Sequence, residues 1–249
     1  MSYFIVTNKG KSVKIDLNRS PVNALNYDLL SELNKILDEI ESNCDINILI
    51  LSGGDSKFFS FGLDIPEILL LTRSQVKETL NLLVNTCKKI YLSSKITISK
   101  INGHATGGGC MLALSTDFRF MVNNRSKIAL NEINIGLSLF SSTIEILKSI
   151  VGTKNAKEIL LGGKLLNPSL AKDYGLVNDL YEENDDFLFE KLIDDYGSKS
   201  LIAIKDLKKS LQISNLSLLN DEDSKLDEFL DIFYSEETQE KLRKIKIKK

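Results

Sequence analysis

The distribution of apolar and polar positions predicts an alternation of strands and helices over the first half of the chain. Residues 3–6 and 13–17 are short apolar-rich runs on either side of Asn8-Lys9-Gly10, the pattern of two strands around a turn. Over residues 27–41, Leu29, Leu30, Leu33, Ile36, Leu37 and Ile40 fall on one face of a helix. Residues 46–51 are almost continuously apolar, as a parallel strand covered on both faces should be. Val76, Leu80, Leu83, Val84, Cys87 and Ile90 predict a second helix over 75–91. Ile96, Ile98 and Ile101 predict a strand, broken by Asn102-Gly103. A run of small and apolar residues at 110–115 suits a buried helix, and 118–122 reads as a strand. Strand and helix in turn argue for an α/β fold with a mainly parallel sheet.

After Gly136 the pattern changes. Residues 142–151, 155–161 and 168–173 read as short helices, the last opening with Pro168, which is well placed at a first turn. Gly175-Leu176-Val177 reads as a brief strand or turn. From Asp186 onward the chain is polar, charged and helical in pattern, with no repeat or low-complexity linker before it. The division is therefore an α/β core over 1–185 and a helical C-terminal region over 186–249. In that region Leu226, Phe229, Leu230 and Phe233 form an i, i+3, i+4, i+7 stripe, suited to the chain's own core or to assembly.

Composition narrows the classes. The 249 residues are 43% hydrophobic and 27% charged, ordinary for a globular protein. A net charge of -2 gives no reason to expect nucleic-acid or membrane binding. The terminal Lys244-Ile245-Lys246-Ile247-Lys248-Lys249 is read as a solvated basic end. Three cysteines, Cys44, Cys87 and Cys110, have no metal-like spacing and suit reduced thiols in a cytoplasmic setting. No signal peptide, membrane-spanning run or peroxisomal tripeptide is expected.

The chemistry concentrates in residues 96–136. Gly107-Gly108-Gly109 opens the predicted buried helix, where absent side chains let a ligand reach the first N–H groups and the positive end of the helix dipole. Such a site can stabilise an oxyanion. Glu132 follows, flanked by Leu130, Ile133 and Ile135, a setting that suits a partly buried acid or base. Together they suggest enolate chemistry. A dinucleotide-binding loop fails on spacing, because Gly103, Gly107, Gly108 and Gly109 do not make G-x-G-x-x-G. His104, the sole histidine, is read as structural.

These pieces resemble the crotonase, or enoyl-CoA hydratase/isomerase, family. The resemblance is carried by Asn102-Gly103-His104-Ala105-Thr106-Gly107-Gly108-Gly109-Cys110, Asp117-Phe118-Arg119, Asn131-Glu132 and Gly136. Two upstream pieces join them: Pro21-Val22-Asn23-Ala24-Leu25 and Phe59-Ser60-Phe61-Gly62-Leu63-Asp64. It covers roughly residues 3–180 and implies a spiral of ββα units with a helical C-terminal extension that helps build trimers or hexamers. It implies catalytic roles for Glu132 and for the backbone N–H groups of Gly108 and Leu63. Substrate contacts are implied at Val22 and Ala24, at Ser60, Phe61, Gly62 and Asp64, and at Gly107, Met111 and Phe140. Asp64 also reads as a helix N-cap, with Pro66 in the first turn. Arg119 is expected to be structural, and Asn131, Ser141 and Ser142 are further candidates for the pocket wall.

Two departures from the family's hydratases narrow the expected activity. Hydratases carry a second glutamate where Met111 stands, and a Pro-Gly pair where Leu139-Phe140 stands. Hydration needs one group to activate water and another to handle the α-carbon proton, which a single carboxylate serves poorly. The monofunctional Δ3,Δ2-enoyl-CoA isomerases have an apolar residue at the Met111 place and share the Leu-Asn-Glu and Pro-Val-Asn wording. The expectation is an acyl-CoA double-bond isomerase needing no metal and no cofactor beyond the CoA of its substrate. Another reaction of the family (hydration, decarboxylation or thioester hydrolysis) or a non-catalytic acyl-CoA-binding subunit is the alternative. Ser20 stands near where hydratases keep a basic residue for CoA.

Overall fold

The computed structural model describes residues 2–183, 186–212 and 223–247. Strands β1 (Phe4–Lys9) and β2 (Ser12–Leu17) form an antiparallel hairpin. Short β3 (Ala24–Leu25) leads into helix α1 (Tyr27–Ser42), which Asn26 caps by accepting from Leu29 N–H. There follow β4 (Ile48–Ser52), β5 (Phe58–Ser60), β6 (Gly62–Leu63), α2 (Ile65–Ile68) and α3 (Arg73–Leu92). The middle of the chain holds β7 (Ile96–Ile101), β8 (His104–Thr106), α4 (Gly108–Leu114), β9 (Phe118–Val122) and β10 (Ile128–Ala129). A 3₁₀ turn, Glu132–Ile135, precedes α5 (Ser141–Gly162), α6 (Pro168–Asp173) and β11 (Asp179–Tyr181). The C-terminal helices are α7 (Asp186–Gly197), α8 (Leu201–Gln212), α9 (Asp223–Phe233) and α10 (Glu236–Leu242).

The large sheet has six strands in the order β1-β2-β4-β7-β9-β11, parallel from β2 onward. Its central strands are covered on both faces, so the period of two divides their side chains between two cores rather than between core and water. Leu49, Leu51, Ile101 and Met121 enter the larger core, with the apolar faces of α1, α3 and α4. Ile48, Ile50, Ile98, Phe120 and Val122 enter a smaller core beneath Phe189 of α7 and Ile204 of α8. A three-stranded parallel sheet, β10-β8-β5, and the pair β3-β6 stand beside the large sheet. Three times the chain runs a long strand, a short strand and then a helical segment: β4-β5-α2, β7-β8-α4 and β9-β10 with the 3₁₀ turn. This is the expected spiral of ββα units.

The helices expected at 142–151 and 155–161 are two helical runs within α5 that meet at Gly152, whose φ of +74° only glycine adopts readily, so the break falls where the sequence reading put it. Of the strand or turn expected at 175–177 the turn is observed: Gly175, at φ +73°, turns the chain out of α6, Leu176 and Val177 drop into the core, and β11 follows at Asp179–Tyr181. The stripe Leu226, Phe229, Leu230 and Phe233 is buried within this same chain, against the core that includes α3, so it is not an outward face for assembly. Burying these four side chains internally satisfies the apolar surface that the pattern left open.

Asn102 joins the two sheets. Its Oδ1 accepts from Gly53 N–H at 2.7 Å, and its Nδ2 donates to the carbonyls of Gly54 at 2.8 Å and Ser56 at 2.9 Å. Gly103 next to it has no room for a side chain, since a Cβ would lie 2.2 Å from the Lys57 carbonyl oxygen. Asn102→Ala is expected to lower unfolding free energy by about 2–3 kcal/mol, because the loop's N–H and two carbonyls lose their partner. Thermal denaturation checks this; an unchanged melting temperature would show that water replaces the side chain.

Candidate active site

Gly107 adopts φ +53°, ψ −127°, and its N–H donates to Ala129 O at 3.0 Å, which ties the start of α4 to β10. Gly108 is the first residue of α4, and Gly107 supplies no side-chain cap. First-turn N–H groups of a helix have no intrahelical acceptor, so the Gly108 N–H is free to meet a ligand. Gly62, at φ +96°, abuts this point: a Cβ on Gly62 would lie 3.0 Å from Gly108 N. Leu63 follows directly, so β6 and the α4 N-terminus bring the two expected N–H groups to one wall. Gly109 packs against Ser60, where a Cβ would lie 2.4 Å from the carbonyl oxygen.

Glu132 is the first residue of the 3₁₀ turn. A Cβ placed on Gly107 would lie 3.5 Å from Glu132 Oε1. The residue is half-buried because its flank lines the cavity, while Oε2 is shielded from solvent and has no hydrogen-bond partner. That shielding pushes the carboxyl pKa up from 4.5 to about 7, against a smaller lowering by its own backbone N–H. An acid with this pKa can accept and return a proton near neutral pH.

These residues share a cavity of about 390 Å³. Its wall includes Phe61, Gly62, Leu63, Gly107, Gly108, Met111, Glu132 and Phe140, so eight of the twelve expected site residues come together. The other four do not. Ser60 is fully buried, donating to Asn23 O at 2.7 Å and accepting from Gly62 N–H at 3.1 Å. Val22, Ala24 and Asp64 line an adjoining cavity of about 400 Å³ with Arg19, Ser20, Pro21 and Ile247. Asp64 caps α2 by accepting from Glu67 N–H and pairs with Arg19 at 2.7 Å, so its carboxylate is taken. Of the polar candidates, Asn131 reaches the main cavity, joined by Ser138, whereas Ser142 is buried in α5. A wider groove of about 580 Å³ between α1 and α3 contains none of the motif residues.

Several residues of the site escaped the sequence reading. Arg19 donates to the Ala24 carbonyl and pairs with Asp64 and Glu67, so a guanidinium stands beside Ser20 but is committed to structure. Asn23, 1% exposed, donates to the carbonyls of Gly53, Phe58 and Phe59. Phe229 and Ile245, from the C-terminal segment, close the far side of the cavity. His104 also lines it; Nδ1 accepts from Lys127 N–H, the ring packs on Phe58, and burial followed by the Lys127 charge lowers its pKa. Arg119 is buried on the carbonyls of Leu176 and Thr116, a structural role.

Sheet spiral, glycine-walled helix start and shielded glutamate together define a crotonase-type α/β protein. The model of the enoyl-CoA hydratase/isomerase family matches residues 8–245. The short-chain-enoyl-CoA hydratase of Clostridium acetobutylicum is 29% identical over 182 residues, 73% of this chain and 69% of that protein. Enoyl-CoA delta isomerase 1 of Mus musculus is 30% identical over 169 residues, 68% of this chain and 58% of that protein. In fold, the chain superposes on human mitochondrial delta3-delta2-enoyl-CoA isomerase with a TM-score of 0.92 at 23% identity, covering 97% of this chain and 96% of that one. For an enoyl-CoA hydratase from Bacillus halodurans the TM-score is 0.89 at 24% identity, covering 98% and 100%. The chain belongs to the enoyl-CoA hydratase/isomerase family.

The shielded carboxyl has a consequence for stability. With its folded pKa raised, Glu132 favours folding below its unfolded pKa of about 4.5, and that advantage is lost as pH rises through about 7. Glu132→Gln removes the charge that must be buried. It is expected to stabilise the protein by on the order of 1–3 kcal/mol at pH 8 and by less at pH 5. Melting temperatures of both proteins at the two pH values check this; a gain independent of pH would contradict the shielding.

Proposed function

We propose that the protein is an acyl-CoA double-bond isomerase that converts 3-enoyl-CoA to 2-trans-enoyl-CoA. One observation carries the reading: Glu132 is the sole acidic side chain lining the cavity among the described residues, and Met111 occupies the wall where a second carboxylate would serve hydration. The thioester oxygen accepts hydrogen bonds from the Leu63 and Gly108 N–H groups. Glu132 removes a proton from C2, and the electron pair spreads over C2–C4 and the thioester oxygen as a dienolate. Each N–H stabilises that oxyanion by typically ~3–4 kcal/mol. The protonated Glu132 delivers its proton to C4, the double bond moves to C2–C3, and the carboxylate is regenerated. One acid/base suffices because C2 and C4 lie on the same face of the planar intermediate. The reaction needs no metal or redox partner, and CoA enters only as part of the substrate. Arg19, Ser20 and Val22 line the adjoining cavity, which supports a path for the CoA moiety beside the reacting group.

Assembly as a homotrimer or hexamer belongs to the same reading. Its support is the set of outward leucines Leu161, Leu165 and Leu170 around the ends of α5 and α6, together with Leu207 and Leu211 on α8. A cytoplasmic setting agrees with unpaired Cys44, Cys87 and Cys110. Hydration is the rival reaction, favoured by the hydratases among the relatives.

Incubating 3-hexenoyl-CoA with the protein and following the conjugated 2-enoyl thioester tests the isomerase reading. Glu132→Gln should lower that turnover by at least ~100-fold with little change in CoA-ester affinity, since a positioned acid/base contributes that much or more. Near-normal turnover by the variant would remove Glu132 from the mechanism. The second arm uses crotonyl-CoA and measures 3-hydroxyacyl-CoA. The unmodified protein should hydrate it slowly or not at all, because the Met111 wall offers an ordered water few partners. Met111→Glu should introduce weak hydration and reduce isomerisation, as two close carboxylates split their pKa values into an acid and a base. Fast hydration by the unmodified protein would overturn the isomerase assignment.

A further inference from the structure

The 3₁₀ turn that carries Glu132 is only four residues long and has no side-chain cap at Asn131. Such a turn has poor hydrogen-bond geometry and little stiffness of its own. Inside it, Gly136 N–H donates to Ile133 O at 3.1 Å and Leu137 N–H to Glu132 O at 3.0 Å. Outside it, two ties hold it in place. Asn134 Nδ2 donates to Gly163 O at 2.7 Å on one side. On the other, Thr238 of α10 donates from Oγ1 to Gly136 O at 2.9 Å, joining residues 102 apart in sequence.

The Thr238 tie is built into the packing. Thr238 is 2% exposed, and Leu242 on the same helix is fully buried. Gly136 sits at φ +79°, and a Cβ there would lie 2.8 Å from Thr238 Oγ1, so the approach requires glycine twice over. The helix is anchored at its start, where Ser235 caps α10 and Gln239 Nε2 donates to Phe233 O at 2.8 Å. Phe229 of α9, which precedes it, packs on Phe140 with ring centres 5.1 Å apart. The bond therefore ends on a rigid support at one end and on the turn of the shielded carboxyl at the other.

We propose that Thr238 is a positioning residue for Glu132: its hydroxyl fixes the Gly136 carbonyl, and through it the turn that aims the carboxyl into the cavity and keeps it dry. The inference rests on the reading of Glu132 as acid/base. A turn free to rock admits water to Oε2, which now has no partner, and the carboxyl then reverts toward an ordinary pKa. The other ionisable groups facing this region are few. His104 and Lys127 line the cavity, Cys110 lies behind the site on α4, and Lys241 of α10 lays its stem on Gly136 while its ammonium pairs with Glu237.

The test uses the full chain and variants Thr238→Val, Thr238→Ser, Ser235→Ala and Glu132→Gln, with 3-hexenoyl-CoA from pH 5 to 9. Thr238→Val should lower kcat about tenfold with KM within about twofold, since small misplacements of a reacting group cost turnover first. The acidic limb of its kcat profile should move to lower pH, and Thr238→Ser should restore both kcat and the limb. Surface Ser235→Ala loosens the same first turn of α10 without touching the core, and should move the limb in the same direction even if the valine variant does not fold. Loss of active protein alone reduces amplitude and leaves the midpoint in place; that outcome, or unchanged kinetics, overturns the proposal. Turnover retained by Glu132→Gln overturns the acid/base reading instead. An activity-independent arm separates the two: the pH 8 gain in melting temperature from Glu132→Gln should shrink by at least half in the Thr238→Val or Ser235→Ala background. An undiminished gain in both would show that Thr238 does not keep the carboxyl dry.

Discussion

A carboxyl group held out of water with one oxygen unpaired is costly, and its surroundings must prevent it from relaxing into solvent. Glu132 is held in that state by elements from widely separated parts of the chain. Gly107 stands beside it, the position of a Cβ there being 3.5 Å from Oε1. The 3₁₀ turn is tied to the end of α5 through Asn134 and to α10 through Thr238. Met111, Leu139 and Phe140, all nearly buried, exclude water from the walls. The same exclusion that raises the carboxyl pKa lowers the local dielectric, which strengthens any hydrogen bond the Gly108 N–H offers to a developing charge.

The two kinds of sheet divide the work that this requires. The large sheet is covered on both faces, so alternate residues of β4, β7 and β9 enter separate cores and resist displacement from either side. The short strands β5, β6, β8 and β10 contribute little apolar burial individually, and they carry the site. They are held by polar ties: Asn102 to the loop at Gly53, Gly54 and Ser56, Asn23 to the carbonyls around β5, and Arg19 to Asp64 and Glu67. Buried polar side chains that are well satisfied specify one arrangement, because any shift leaves donors and acceptors unpaired. The site thus sits on geometry fixed by hydrogen bonds, beside a scaffold fixed by packing.

This division explains what was legible in the sequence. Apolar periodicity reports burial, so α1, α3, β4, β7 and β9 were readable within a few residues. Gly107, Gly108 and Glu132 were readable because glycines at a helix start and a lone acid among apolar residues are unusual combinations. The motif around Ser60 and Asp64 was harder, because wording alone does not separate a residue that faces the cavity from one that holds the loop behind it. Ser60 and Asp64 do the second. The break at Gly152 was legible, since it lies between the two expected helices, whereas the place of β11 is set by its pairing with β9, which no local pattern encodes. The stripe from Leu226 to Phe233 had the right period, but periodicity cannot tell an internal partner from an external one.

The C-terminal helices gain a different meaning once that stripe is internal. Phe229 and Ile245 line the cavity that holds Glu132, and Thr238 reaches the turn that bears it. On the proposed mechanism the oxyanion contacts come from Leu63 and Gly108, which lie on short elements of the spiral and act through backbone alone. The Leu63 side chain can therefore change without altering the charge its N–H stabilises, whereas a Cβ on Gly108 would lie 3.2 Å from Leu25 and 3.3 Å from Leu83. The cavity wall and the turn that bears Glu132 also draw on side chains from beyond residue 220, namely Phe229, Ile245 and Thr238. On that reading the reacting groups come from the spiral and its 3₁₀ turn, and part of the wall around them comes from the C-terminal segment.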